Sequence, residues 1–170
     1  MGKVIKIPEL SVVALVGASS SGKSTLAKQL FKPTEVLSSD FCRGLVSDDE
    51  NSQAASKDAF ELLYYIAGKR LARGNVVVVD ATNLQKDARQ PILALARQYH
   101  CLPVAIAINA QEKVCQERNE ARPDRDIPPK IIRHHCQQLK RSLRALKKEG
   151  FRYVYTLGPD DLEAGVSLVR

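Results

Sequence analysis

The sequence predicts an α/β fold in which a central parallel sheet of about five strands is flanked by helices. Three observations carry this. Short β-rich runs alternate with stretches of helical periodicity along the 170 residues, the order that builds a parallel sheet. Ser11-Val-Val-Ala-Leu-Val16 and Val76-Val-Val-Val-Asp80 are unbroken apolar runs of strand length, as expected of strands covered on both faces. Gly74 and Gly150 each follow a helical stretch, where a left-handed C-cap is needed. The length suits a single domain spanning 1–170, with enough core to fold without metal or disulfide staples.

The elements follow in order. Ser11 to Val16 is the first strand and ends in a turn of glycines and serines, after which a helix runs from Lys23 to Phe31. Glu35 to Ser39 reads as a short second strand closing on Asp40. From Ser56 to Arg73, Phe60, Leu63, Tyr64, Ala67 and Leu71 recur at helical spacing. Val76 to Asp80 is the third strand. A helix from Lys86 to Tyr99, a strand from Leu102 to Asn109 and a polar helix over 111–121 come next. Prolines at both ends make Arg122 to Pro129 a loop. The helix Lys130 to Glu149 presents Ile132, His135, Leu139, Leu143 and Leu146 on one face, and Phe151 to Leu157 supplies the fifth strand. Asp160 to Arg170 is expected to cover the sheet or a neighbouring subunit.

The net charge is +7, which favours a polyanionic partner. Much of it lies in the last long helix, where Lys130, Arg133, Lys140, Arg141, Arg144, Lys147 and Lys148 face only Glu149. That helix reads either as an electrostatic path for phosphates or as a solvated amphipathic face. No apolar run approaches the roughly 20 residues that span a bilayer, so no membrane association is expected. Cys42, Cys101, Cys115 and Cys136 form no Cys-x-x-Cys pair, and reduced thiols in a cytoplasmic protein are expected. His134-His135-Cys136 with Cys115 matches no common zinc spacing.

The chemistry starts at Gly17-Ala-Ser-Ser-Ser-Gly22-Lys23-Ser24-Thr25. Gly-x-x-x-x-Gly-Lys-Ser after a buried strand and before a helix is the phosphate-binding P-loop, in the context that motif requires. Backbone N–H groups from Gly17 through Ser19, Ser20, Ser21 and Gly22 to Thr25 are expected to cradle the phosphates of ATP or another NTP. Lys23 would reach the β/γ-phosphates and Ser24 would ligate Mg²⁺ (or Mn²⁺). Asp80 ends a strand at the edge where α/β sheets bind ligands, and it is the expected second metal-side group. The fold class is therefore a P-loop NTPase fold. The Asp-x-x-Gly and Asn-Lys-x-Asp signatures of a GTPase are absent: Asp80 precedes Ala81-Thr82-Asn83. The chain is also short for a motor ATPase, which leaves a small kinase.

A kinase needs an acceptor base, cations for the transferred charge and a closing lid. Asp40, at the end of the second strand, faces the P-loop edge and can take a proton from an attacking hydroxyl. Arg43, one helical turn on, suggests an acceptor carrying its own phosphate. A helix N-cap with a salt-bridged Arg43 is the competing reading of Asp40. Arg118 and Arg122 are spaced i,i+4, and Arg125 lies in the proline-bracketed loop. Three like charges converge only around an anion, so they are expected to form a helical arginine lid over the phosphates, against the alternative of pairing with Glu117, Glu120, Asp124 and Asp126.

Together, Gly17–Thr25, Ser38-Ser-Asp-Phe-Cys-Arg-Gly44, Val79-Asp-Ala-Thr-Asn83, the Arg118/Arg122/Arg125 series and Phe151–Tyr155 resemble the polynucleotide 5′-kinase domain of bacterial polynucleotide kinase-phosphatase. The resemblance covers nearly the whole chain. It implies NTP-dependent phosphorylation of 5′-OH ends of RNA or DNA in nucleic-acid repair. It also implies that Asp40 is the general base, Arg43 holds the neighbouring phosphate, and Arg118, Arg122 and Arg125 clamp the NTP. Thr82 would lie near the acceptor nucleotide and Phe41 would stack on its base. Members of that family continue into phosphatase and ligase-type domains, so the chain reads as an excised kinase module. A metabolite or nucleoside kinase, or a non-catalytic NTP-binding module, are the alternative functions.

Overall fold

The computed structural model describes residues 2–124 and 127–170. Five parallel strands form the main sheet: β2 (Ser11–Val16), β3 (Val36–Ser38), β4 (Val77–Asp80), β5 (Leu102–Ile108) and β6 (Tyr153–Leu157), in the order β3-β4-β2-β5-β6. These are the five strands expected. The apolar run of β2 takes the centre, buried at every residue along its length and paired with β4 on one side and β5 on the other. Val13 lies opposite Val78 on one side and Val104 on the other. The chain therefore leaves β2 in the middle of the carboxyl edge, beside the end of β4, where a ligand meets the most backbone.

Helices α1 (Lys23–Leu30), α2 (Ser39–Ser47), α3 (Ser56–Ala72), α4 (Lys86–Gln98), α5 (Glu112–Glu120) and α6 (Pro129–Glu149) complete the α/β alternation. One face of the sheet packs Val12, Ala14 and Val79 against Leu63, Ile92, Leu139 and Leu146 of α3, α4 and α6. The other packs Val13, Leu15, Val78 and Ile106 against Leu26 and Ala27 of α1.

Two elements depart from the sequence reading. The expected second strand stops at Ser38, and Ser39 onward winds into α2, because the Ser38 hydroxyl accepts from the Phe41 N–H and caps a helix there. The chain ends form a second, two-stranded sheet in which β1 (Lys3–Lys6) pairs parallel with β7 (Val166–Val169). With α7 (Pro159–Ala164) between β6 and β7, the terminal segment buries Ile5, Val166 and Leu168 against α1. It covers its own domain.

A buried ion pair joins α4 to α6. The Arg89 guanidinium donates to both carboxylate oxygens of Glu149, at 2.8 and 2.6 Å, and also to the Asn83 carbonyl and the Ser142 hydroxyl. Both side chains are nearly inaccessible, at 2% and 5% exposure. Among the described residues no helix is long and apolar enough to cross a membrane.

The four cysteines are unpaired thiols. Burial, then the neighbouring Cys136, pushes the Cys115 thiol from 9.0 up to about 11. A raised acid stabilises the fold fully below the unfolded value and loses that contribution as pH climbs through the folded one. Melting temperatures of the wild type and Cys115→Ala, compared between pH 9 and about 11, are expected to converge as the wild type loses its advantage. A gap that stays constant across this range would show that the thiol does not titrate there.

Candidate active site

The turn after β2 is shaped by close approach. A Cβ at Gly17 would sit 2.9 Å from the Ser21 hydroxyl and 3.2 Å from the Ile108 carbonyl, and Gly22 has φ of +100°. The Gly17 N–H donates to the Thr82 carbonyl at 3.0 Å, which fastens the turn to the segment after β4. Gly22 caps α1 with no side-chain cap and no acidic residue in the first turn, so the positive end of the helix dipole is turned toward whatever anion the turn receives. Ser20 also adopts a left-handed φ of 65°. Its hydroxyl and that of Ser21 are buried with no protein hydrogen-bond partner among the described residues. Buried polar atoms of this kind carry a desolvation cost unless a ligand meets them.

Lys23 is buried and its ammonium donates to the carbonyls of Gly17 and Ala18 at 3.0 and 2.7 Å, folding over the turn. The Ser24 hydroxyl donates to the Asp80 carboxylate at 2.7 Å. Hydroxyl and carboxylate oxygens side by side are the donor set of a hard divalent cation, and the residues present fit Mg²⁺ or Mn²⁺.

Strand β3 pairs with β4 so that Ser38 lies opposite Asp80, which brings the start of α2 to the same edge. Asp40 sits in the first turn of α2. Arg43 donates to its carboxylate at 2.6 Å, to the Ser56 hydroxyl at 3.0 Å, and lies 5.9 Å from the Phe60 ring centroid. Ser38 is the N-cap, so Asp40 combines the salt bridge expected of a capping residue with a place inside the helix.

Arg118 and Arg122 fall on α5 and just after it. The Arg118 guanidinium is 3.2 Å from where a Gly22 Cβ would be, so it overhangs the P-loop turn. The Asn51 side chain donates to the Asp124 carbonyl at 3.0 Å, joining the segment after α2 to the segment after α5 across the cleft. Arg125 lies outside the described residues.

One cleft of about 1460 Å³ gathers these groups, larger than a single small-molecule site of roughly 300–1,000 Å³. Ser19 to Thr25, Asp40, Arg43, Asp80, Thr82, Arg118 and Arg122 all line it. Gly17 supports the turn from behind. Phe41 is not brought in: it is 58% exposed on α2 and outside the cleft lining.

Two residues escaped the sequence reading. Helical spacing predicts His135 on the core face of α6, yet its Nδ1 accepts from the Ser19 N–H at 3.3 Å, within the P-loop. Asn83 takes a left-handed φ of 49° and donates to the Leu15 carbonyl at 2.8 Å, holding the segment after β4 against β2. Its signal was readable, since asparagine tolerates that conformation, whereas no pattern foretells a contact across 116 residues.

Residues 12–146 match the family model AAA_33, described as an AAA domain. The chain belongs to that family. Solved structures share its fold. The Pnkp1/Rnl/Hen1 RNA repair complex contains a chain similar to this one at 21% identity and TM-score 0.69, covering 82% of this chain and 46% of that chain. This chain thus spans about half the length of that relative. Chaetomium thermophilum Kti12, solved with ADP-AlF3, matches at 20% identity and TM-score 0.61, over 88% and 90% of the two chains. Mycobacterium tuberculosis APS kinase CysC, solved with AMPPNP and APS, matches at 20% identity and TM-score 0.56, over 92% and 94%. At these identities the likeness establishes the fold. No curated protein matches the chain in sequence.

Proposed function

We propose that this AAA domain is an NTP-dependent polynucleotide 5′-hydroxyl kinase that acts on RNA or DNA ends in nucleic-acid repair. The observation that carries the reading is the Asp40–Arg43 pair, 2.6 Å apart, lining the same cleft as the P-loop. A carboxylate beside a guanidinium, facing the donor site, suits an alcohol with an adjacent phosphate.

The chain's residues divide the work. P-loop amides, Lys23, Arg118 and Arg122 hold the donor phosphates and spread the charge that develops on transfer. Arg125 belongs with the lid arginines in this scheme. Ser24 and Asp80 would hold Mg²⁺ or Mn²⁺, which when bound would offset the charge of the donor phosphates. The 5′-hydroxyl oxygen attacks the γ-phosphorus, its proton passes to the Asp40 carboxylate, and the bond to the β–γ bridging oxygen breaks to release the nucleoside diphosphate. Arg43 holds the phosphate next to the terminal nucleoside, and Thr82 lies beside that nucleotide. Phe41, exposed next to Asp40, would reach the terminal base only where it projects beyond the cleft. Phosphatase and ligase-type domains beside this one are part of the proposal, as the resemblance to bacterial polynucleotide kinase-phosphatase implies.

Transfer of labelled γ-phosphate from ATP to an oligonucleotide with a 5′-OH, and not to one already 5′-phosphorylated, is the expected result. A second reading, a small-metabolite kinase, draws on the likeness to APS kinase over 92% of this chain. Labelling of free small alcohols with no labelling of the oligonucleotide would select it. Arg43→Ala is expected to raise the acceptor KM by about tenfold or more, the effect of one lost charge-assisted contact. The rise should be largest for acceptors with a phosphate beside the terminal nucleoside. An equal rise for a bare nucleoside would place Arg43 elsewhere in the reaction.

A further inference from the structure

The cations of α6 are left unused by the proposed reaction. Its one acidic residue, Glu149, is buried against Arg89, and among the described residues only Arg133 has an acidic partner, Glu112 at 3.3 Å. A helix that merely needed solvation would gain from i,i+4 acid–base pairs; this one has none.

Helical spacing sorts the cations into two sets. Ile131, His135 and Gln138 line the cleft, which marks the side of α6 nearest the substrates. At about 100° per residue, Lys130, Arg141 and Lys148 lie together, about 60–80° around the helix from Gln138, and Arg144 lies further round, close to the direction of Arg133. All four are exposed. This side adjoins α4, because Ser142 and Glu149 beside it meet Arg89. Lys86 and Arg97 of α4 are exposed and fall near the Arg89 stripe, adding positive charge to the same shoulder. Asp87 is the acidic residue of that helix. Arg133, Lys140 and Lys147 repeat every seven residues on the outer side of α6.

The same cleft is lined by Asp40, by Gln85 and Ala88 at the start of α4, and by Ile131, His135 and Gln138 of α6. A strand whose 5′ end sits at Asp40 would leave across α4 onto this shoulder, and α6 continues from there for about 30 Å over its 21 residues. We propose that the α4–α6 shoulder carries the backbone phosphates of a single-stranded acceptor downstream of its first nucleotides. The inference rests on the polynucleotide reading above.

The test compares two triple variants of equal charge. One is Lys130→Gln, Arg141→Gln and Lys148→Gln on the shoulder; the other is Arg133→Gln, Lys140→Gln and Lys147→Gln on the outer side. Fluorescence anisotropy measures binding of a 5′-OH trinucleotide and of a strand of about twelve nucleotides, a length within single-strand site sizes. In the wild type the longer strand is expected to bind about tenfold tighter. The shoulder variant should lose that gain while trinucleotide and ATP affinities hold, and its salt slope should flatten by about two, from roughly 0.7 per lost phosphate contact. The outer variant should keep the gain. Equal losses in both variants, or no gain with length in the wild type, would overturn the track. Phosphorylation of the trinucleotide by the wild type decides the remaining point. A protein that phosphorylates it but shows no gain with length retains the substrate reading and loses the track. One that phosphorylates neither strand loses both.

Discussion

Asp40→Ala is expected to lower phosphoryl transfer by about 10²-fold or more, the usual scale for a lost general base. Affinity for ATP should stay nearly intact. The split follows from placement. Asp40 is carried by α2 at the β3 edge, whereas the P-loop, Lys23 and Ser24 hang from β2 and α1. Removing the carboxylate also releases Arg43 from its 2.6 Å contact, but Ser56 and the Phe60 ring still hold the guanidinium. Asp40→Asn separates the two effects, since it keeps the shape and removes the base. Transfer by single-turnover kinetics and ATP binding by calorimetry read the two quantities independently. Wild-type turnover in either variant would remove Asp40 from the chemistry, and a parallel loss of ATP affinity would assign it to the donor side.

Arg89→Ala is expected to cost about 3–5 kcal/mol of stability, because breaking a buried pair strands its partner charge. Glu149 would be left at 5% exposure with both strong donors gone. The Asn83 carbonyl and Ser142 hydroxyl would lose a donor as well. Urea denaturation measures the loss. Replacing both partners, as Arg89→Met with Glu149→Leu, should recover most of it, since apolar groups of similar volume carry no stranded charge. A double variant as unstable as the single one would show that the cost comes from the cavity and not from the charge. Arg89 also holds the segment after β4 through the Asn83 carbonyl, so activity should fall with stability in Arg89→Ala and, because Arg89→Met lacks that donor too, recover less than stability in the double variant.

The parts of the site that sequence made legible are those where chemistry and spacing are local. Gly17 to Thr25 is one continuous motif whose turn geometry depends on its own glycines. Asp40 and Arg43 are three residues apart, and Arg118 and Arg122 four, so each pair meets within one helix turn or its continuation. The five core strands were legible because unbroken apolar runs have few other places to go. Helix α2 was harder to read: Ser38 and Ser39 suit a strand end and a cap equally, and only the Phe41 N–H accepted by the Ser38 hydroxyl decides between them. The β1–β7 pair was missed because four-residue strands at opposite ends of a chain have no local signal.

By itself the sequence determined the phosphate-binding turn with Lys23 and Ser24 and the alternation of short strands and helices that makes the α/β class. Each of these depends on residues within a few positions of one another, where backbone geometry alone sets what they can do. Tertiary structure decided the rest: that β2 stands at the centre with β4 and β5 beside it, that Asp80 meets Ser24 across 56 residues, and that His135 reaches Ser19 across 116. It also decided that Glu149 is buried and the cations of α6 face outward without it. Strand order and helix docking are selected by how whole apolar faces pack, a property of the assembled chain that no local pattern encodes.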